Sequence, residues 1–128
     1  MKKYILIIFL FQFLNLKGDT TIVALDRVHH FFGNSGNNRV FTDTISFPNH
    51  TTHLSEIIMN INLECPNCGC DPWDRKAQIS VNNRDDWFEI GRYVTPYGVE
   101  CGWSLNVSDY RSFLIGDVIL RSYIDTWV

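Results

Sequence analysis

The sequence has no apolar run of the roughly 20 residues needed to cross a bilayer core. Its one strongly apolar stretch, Tyr4 to Leu14, follows Met1-Lys2-Lys3 and carries no charge. A basic start, a short apolar run and a small residue at Gly18 read as a secretory signal peptide over residues 1–18, removed from the mature chain. The sequence also has no surplus of basic residues, with Lys+Arg 11 against Asp+Glu 14 and a formal net charge of −3. Loss of Lys2, Lys3 and Lys17 with the signal takes that charge to −6, which argues against nucleic acid as a partner. No internal repeat, low-complexity segment or linker divides the remaining residues, so 19–128 reads as one domain with one core. His29, His30, His50 and His53 show no spacing that a cysteine or acid completes into a metal site, and no metal or cofactor is expected.

What is present is short, β-prone and evenly punctuated. Runs rich in β-branched and aromatic residues lie at 20–25, 40–47, 57–63, 77–81, 87–95, 104–107 and 118–128, and turn formers separate them. Ile57-Met59-Ile61-Leu63 and Val118-Leu120-Ser122-Ile124 alternate with period two, the pattern of strands with one buried face. Seven such runs predict an antiparallel β-sandwich. Helix is confined to a turn or two at 28–32 and at 109–114, the second capped by Ser108 or Asp109. Gly33 to Asn38 reads as a mobile polar loop, and Asn82 to Asp86 as a hairpin turn. Asn49-His50-Thr51 and Asn106-Val107-Ser108 are glycosylation sequons that need surface positions to be used.

Four cysteines in an exported chain read as disulfides. Three of them fall in Glu64-Cys65-Pro66-Asn67-Cys68-Gly69-Cys70-Asp71-Pro72-Trp73-Asp74-Arg75, just before the strand at 77–81. That segment admits three readings: a zinc site on Cys65, Cys68 and Cys70, a structural disulfide knot, or a knot that holds a working Asp74–Arg75 pair at the mouth of a strand.

Cys65 to Arg75 resembles the signature loop of the peptide-N-glycosidase F family. Trp87-Phe88-Glu89-Ile90-Gly91-Arg92-Tyr93-Val94-Thr95-Pro96-Tyr97 resembles that family's next strand. Val107-Ser108-Asp109-Tyr110-Arg111-Ser112-Phe113-Leu114 resembles the following turn, and Ser122-Tyr123-Ile124-Asp125-Thr126-Trp127 a later strand. Four blocks in order outweigh any single motif. The resemblance implies a single jelly-roll-type β-sandwich equivalent to the family's N-terminal domain, with the family's second sandwich domain lacking a counterpart here. It implies hydrolysis of the amide bond between asparagine and the first sugar of an N-glycoprotein or glycopeptide.

By the same resemblance Asp74 is the main catalytic carboxylate, Arg75 positions the substrate, and Asp125 stands for a supporting glutamate, one methylene shorter. These residue types suit the chemistry. A carboxylate makes a water nucleophilic, and a guanidinium offers donors to the charge developing on the amide oxygen. The rings of Trp73, Trp87, Trp103 and Tyr97 are candidates for a platform that stacks on sugar faces, with Trp73 and Trp103 the better placed and Trp87 expected in the core. The family's matching cysteines imply a Cys65–Cys70 disulfide, leaving Cys68 for Cys101. The competing function is a non-catalytic glycan- or protein-binding module, and a third is a half-domain stable only against a partner domain.

Overall fold

The computed structural model describes residues 19–51 and 53–126, so the expected signal peptide and the last two residues of the final run lie outside the described residues. Among the described residues the fold has eight strands and one 3₁₀ helix: β1 (Phe32–Gly33), β2 (Gly36–Asn37), β3 (Val40–Phe47), β4 (Ile58–Leu63), β5 (Arg75–Asn83), β6 (Asp86–Thr95), β7 (Cys101–Asn106), the 3₁₀ helix Ser108–Phe113, and β8 (Gly116–Ile124). A four-stranded sheet runs in the order β3-β8-β5-β6, a two-stranded sheet pairs β4 with β7, and β1 with β2 form a small hairpin. Every pairing is antiparallel.

Alternation builds the core. On one face of the large sheet lie Ala77, Ile79 and Val81 from β5, Val118 and Leu120 from β8, and Ile45 from β3, all buried. The small sheet lays Met59, Ile61 and Leu63 of β4 and Trp103 and Leu105 of β7 over them. Full burial of a side chain such as Val81 contributes about 1.5–3 kcal/mol. Gly91 marks a close approach of the two layers: a Cβ there would collide with Met59 Cε and come within 3.0 Å of Leu105 Cδ1. Beside it the β5–β6 register shifts between Ile79 and Ser80, the extra residue of a β-bulge. The β5–β6 hairpin closes through Arg84-Asp85, with Arg84 in the left-handed region at φ 59°.

Three expected elements differ. Residues 20–25 form no strand, because no neighbouring strand pairs with them, although Ala24 and Leu25 still pack against the core. Residues 28–32 form no helix; they lead into β1, and the expected loop 33–38 is a closed hairpin rather than an open connection. The short helix at Ser108–Phe113 is 3₁₀ and has no side-chain cap. Ser108, one of the two expected caps, instead accepts the amide N–H of Ile57 at 2.9 Å, tying the helix start to the residue just before β4.

Candidate active site

The β4–β5 connection is shaped from both ends. Cys65 and Cys70 are joined by a disulfide. Inside that ring the N–H of Gly69 donates to the carbonyl of Pro66 at 2.8 Å, a tight turn that Gly69 permits with φ 100°. Two bonds then strap this connection to the β6–β7 connection, and a third ties the start of β5 to the end of β6. Cys65 N–H donates to Glu100 Oε1 at 3.0 Å, Gly98 N–H to the Asp71 carbonyl at 2.9 Å, and Arg75 N–H to Thr95 Oγ1 at 2.8 Å. Two loops therefore meet at the end of the β5–β6 hairpin.

Asp71 organises the sequence motif. Its Oδ1 accepts the N–H of Trp73 at 3.0 Å, and its Oδ2 accepts Nε of Arg75 at 2.9 Å. With Nε committed to Asp71, the terminal amino groups of Arg75 are the guanidinium donors left to meet a substrate. Asp74 meets the hydroxyl of Tyr97, and this hydrogen bond, followed by the carboxylate's charge, holds the Tyr97 phenol above its ordinary pKa. Trp73 is 61% exposed and Tyr97 63% exposed, so both rings stand at the surface beside Asp74.

Asp125 closes the other side. Its amide donates to the carbonyl of Lys76 at 2.8 Å, placing it two residues along from Asp74 across the sheet. Oδ1 accepts from the Tyr123 hydroxyl and the Thr126 N–H, each at 3.0 Å, while Oδ2 lies 3.5 Å from Lys76 Nζ. The Tyr123 hydroxyl, then the Thr126 N–H and the Lys76 charge, lower the Asp125 carboxyl below its ordinary value. Arg39 reaches the same corner, donating to Thr126 Oγ1 at 3.1 Å.

The structure thus brings Asp74, Arg75 and Asp125 to one end of the large sheet but not to one face. Arg75 is in phase with Ala77 and Ile79, toward the core side. Asp125, in contact with Lys76 and Tyr123, is on the outer side. Trp103 is a correction. It shares the inward phase of Cys101 and Leu105 on β7, and its ring packs 5.1 Å from that of Tyr93, so it belongs to the core. Trp87 also differs, lying under the Arg121 guanidinium at 4.2 Å instead of among the buried residues.

The expected Cys68–Cys101 bridge is not formed: both are free thiols. Cys68 is exposed on the turn, whereas Cys101 faces the layer interface, where burial raises its thiol pKa. Both sequon asparagines are exposed, and Asn106 Nδ2 donates to Glu56 Oε1 at 2.8 Å. Thr51 of the first sequon is buried, its hydroxyl donating to the Arg111 carbonyl at 3.0 Å. Among the described residues no group of three His, Cys, Asp or Glu side chains is placed to hold a metal ion.

Sequence reasoning did not single out Asp71 or Glu100 as members of the candidate site, and it named Tyr97 only as a ring for stacking on sugar, not as a partner of Asp74. Asp71 carried a signal, since it lies four residues before Arg75; Tyr97 and Glu100 become partners only through the hairpin register.

An antiparallel all-β chain with a disulfide-closed loop presenting an aspartate–arginine pair at a sheet end is the class that these features define. The chain is 38% identical over 123 residues to peptide-N(4)-(N-acetyl-beta-D-glucosaminyl)asparagine amidase F of Elizabethkingia miricola, covering 89% of this chain and 34% of that protein. A 2.2 Å crystal structure of peptide-N(4)-(N-acetyl-beta-D-glucosaminyl)asparagine amidase superposes with a TM-score of 0.74 at 38% identity, over 81% of this chain and 36% of that one. The structure of PNGase F, a glycosylasparaginase from Flavobacterium meningosepticum, gives 0.72 at 38% identity, over 81% of this chain and 35% of that one. No protein-family model matches the chain. Over most of its own length the chain is peptide-N-glycosidase F-like. It spans about a third of the length of these relatives.

Proposed function

We propose that this chain is the secreted, jelly-roll-type N-terminal domain of a peptide-N-glycosidase F-like amidase, carrying the catalytic carboxylate for hydrolysis of the asparagine–GlcNAc amide bond of N-glycoproteins. The observation that carries this reading is the clamped Asp74–Arg75 pair, held by Asp71, Thr95 and Tyr97 at an exposed sheet end. Asp74 acts as general base on a water, which attacks the amide carbon. The Nη1 and Nη2 groups of Arg75 donate to the oxygen as charge develops on it. Asp125 supports the site from the far side of the sheet end, and Trp73 offers a ring to the sugar. The chain is secreted through residues 1–18 and needs no cofactor.

Replacing the matching third of the Elizabethkingia enzyme with this chain tests the reading. Glycan release by the chimera should fall about a hundred- to a thousandfold in Asp74→Asn. Release that is indifferent to Asp74 would sink the assignment. The exposed Trp73 favours one second reading, a glycan-binding module without turnover. In that case the chain binds glycopeptide, Trp73→Ala abolishes binding, and the chimera releases nothing.

A further inference from the structure

Three cysteines crowd the turn between β4 and β5, and the fold joins two of them. The Cys65–Cys70 disulfide holds their Cα atoms 4.6 Å apart. Between them, the turn closed by Gly69 N–H on the Pro66 carbonyl carries Cys68 at its third position, as an exposed free thiol. A β-turn keeps its ends within about 7 Å, and two consecutive Cα–Cα steps span at most about 7.6 Å. Cys68 is therefore confined to the same small ring as an electrophilic disulfide. The local backbone can adapt, because Gly69 already occupies a φ of 100° that suits no other residue so well.

We propose that Cys68 is an exchange thiol for this disulfide. As a thiolate it attacks the sulfur of Cys65, forming Cys65–Cys68 and expelling Cys70 as the new thiolate. One S–S bond forms as one breaks, and the proton lost by Cys68 is taken up by Cys70, so neither oxidant nor reductant is consumed. Attack at Cys65 is preferred because it closes a Cys-x-x-Cys ring, the spacing used by thiol–disulfide catalysts. Attack at Cys70 would leave a single residue in the ring.

The two forms differ where the candidate site is built. Cys65 stays bridged in both and keeps its amide on Glu100. Cys70 is released in the second, and it directly precedes Asp71, whose carboxylate and carbonyl hold Arg75, Trp73 and Gly98. Exchange therefore loosens the Arg75 side of the loop and spares the Cys65 side. Any effect on amide hydrolysis rests on the function proposed above; the exchange does not.

Thiol mapping on the 128-residue chain decides the matter. Purified without reductant and labelled with N-ethylmaleimide in mild acid, it should carry label on Cys68 and Cys101. After hours in mildly alkaline buffer, where exposed thiols ionise and disulfides rearrange in minutes to hours, label should appear on Cys70 together with a Cys65–Cys68-linked peptide. Cys68→Ser should eliminate the Cys70 label, and Cys101→Ser should not. Label confined to Cys68 and Cys101 under both conditions would overturn the proposal. So would a Cys68–Cys70 link, or Cys70 label that persists in Cys68→Ser.

Discussion

The imidazole of His30 is held between two partners of opposite character. Nδ1 lies 2.9 Å from the carbonyl of Asn38 and must donate to it, so in the neutral ring Nε2 accepts from the hydroxyl of Ser122 at 2.8 Å. Burial, with the neighbouring His29 adding to it, lowers the pKa of His30 below its ordinary 6.5, although the Asn38 carbonyl works the other way. A base whose folded pKa is depressed stabilises the fold fully above its unfolded pKa. That stability is lost as pH falls through the window beneath it, because the unfolded chain takes up the proton first. Urea midpoints should therefore drop on acidification from above to below pH 6.5, and His30→Gln should flatten that step. An unchanged slope in the variant would show that His30 is not the group responsible. The lowered carboxyl of Asp125 has the same sign in a separate window, beneath its ordinary 3.8.

Leu120 tests the core at the same scale. It is 4% exposed on β8, between β3 and β5. Leu120→Ala should cost about 2–5 kcal/mol by lost transfer energy and the cavity left behind, read as a fall in urea midpoint at constant m-value. A loss under about 1 kcal/mol would mean that the two layers collapse onto the gap.

At the scale of elements, the spacing between the sheets depends on Gly91. A branched side chain there meets Met59 and Leu105 from the opposing layer. Gly91→Val should destabilise by about 1–3 kcal/mol through overpacking. Adding Met59→Ala should recover part of that loss, because the obstructing atom is the end of a flexible side chain. A double-mutant cycle with no coupling would contradict the close approach.

The strands were legible because each carries its own pattern. β3 falls on residues 40–47 as expected, and β6 differs by one residue at its start, since both runs are rich in β-branched and aromatic residues and are bounded by turn formers. Residues 20–25 carry the same composition but lack a neighbour, and a strand exists only by pairing. The motif loop was legible as a unit, including the Cys65–Cys70 ring. The Asp74–Tyr97 contact was not: it depends on the register that sets Arg75 opposite Thr95, and no local pattern encodes that register. The Cys68–Cys101 pairing failed for a related reason. Cys101 is paired opposite Leu63 in β7, with its side chain turned to the interior and away from the exposed turn.

For the whole molecule, the exposure of the candidate site decides how much chemistry this chain performs alone. Asp74 stands beside two rings that are more than half exposed, Trp73 and Tyr97, and Asp125 faces the outer side of the sheet. On the function proposed above, water in such an open setting screens the charge that would develop on the amide oxygen. Arg75 and Asp125 also point to opposite sides of the sheet end, so they cannot grip one amide without a further surface to complete the pocket. Removing one transition-state donor from an enclosed site typically costs about a hundred- to a thousandfold in rate, and an unenclosed site loses water exclusion besides. The 128-residue chain incubated with denatured glycoprotein should therefore release little or no glycan and convert little asparagine to aspartate. The same chain within the chimera should do both. Clear turnover by the chain alone that disappears in Asp74→Asn would show that a single sandwich with an open site suffices. Trace turnover that rises as the solvent-facing Trp73 and Tyr97 are covered, for instance by fusing the remaining two-thirds of the Elizabethkingia enzyme, would place the missing rate in enclosure.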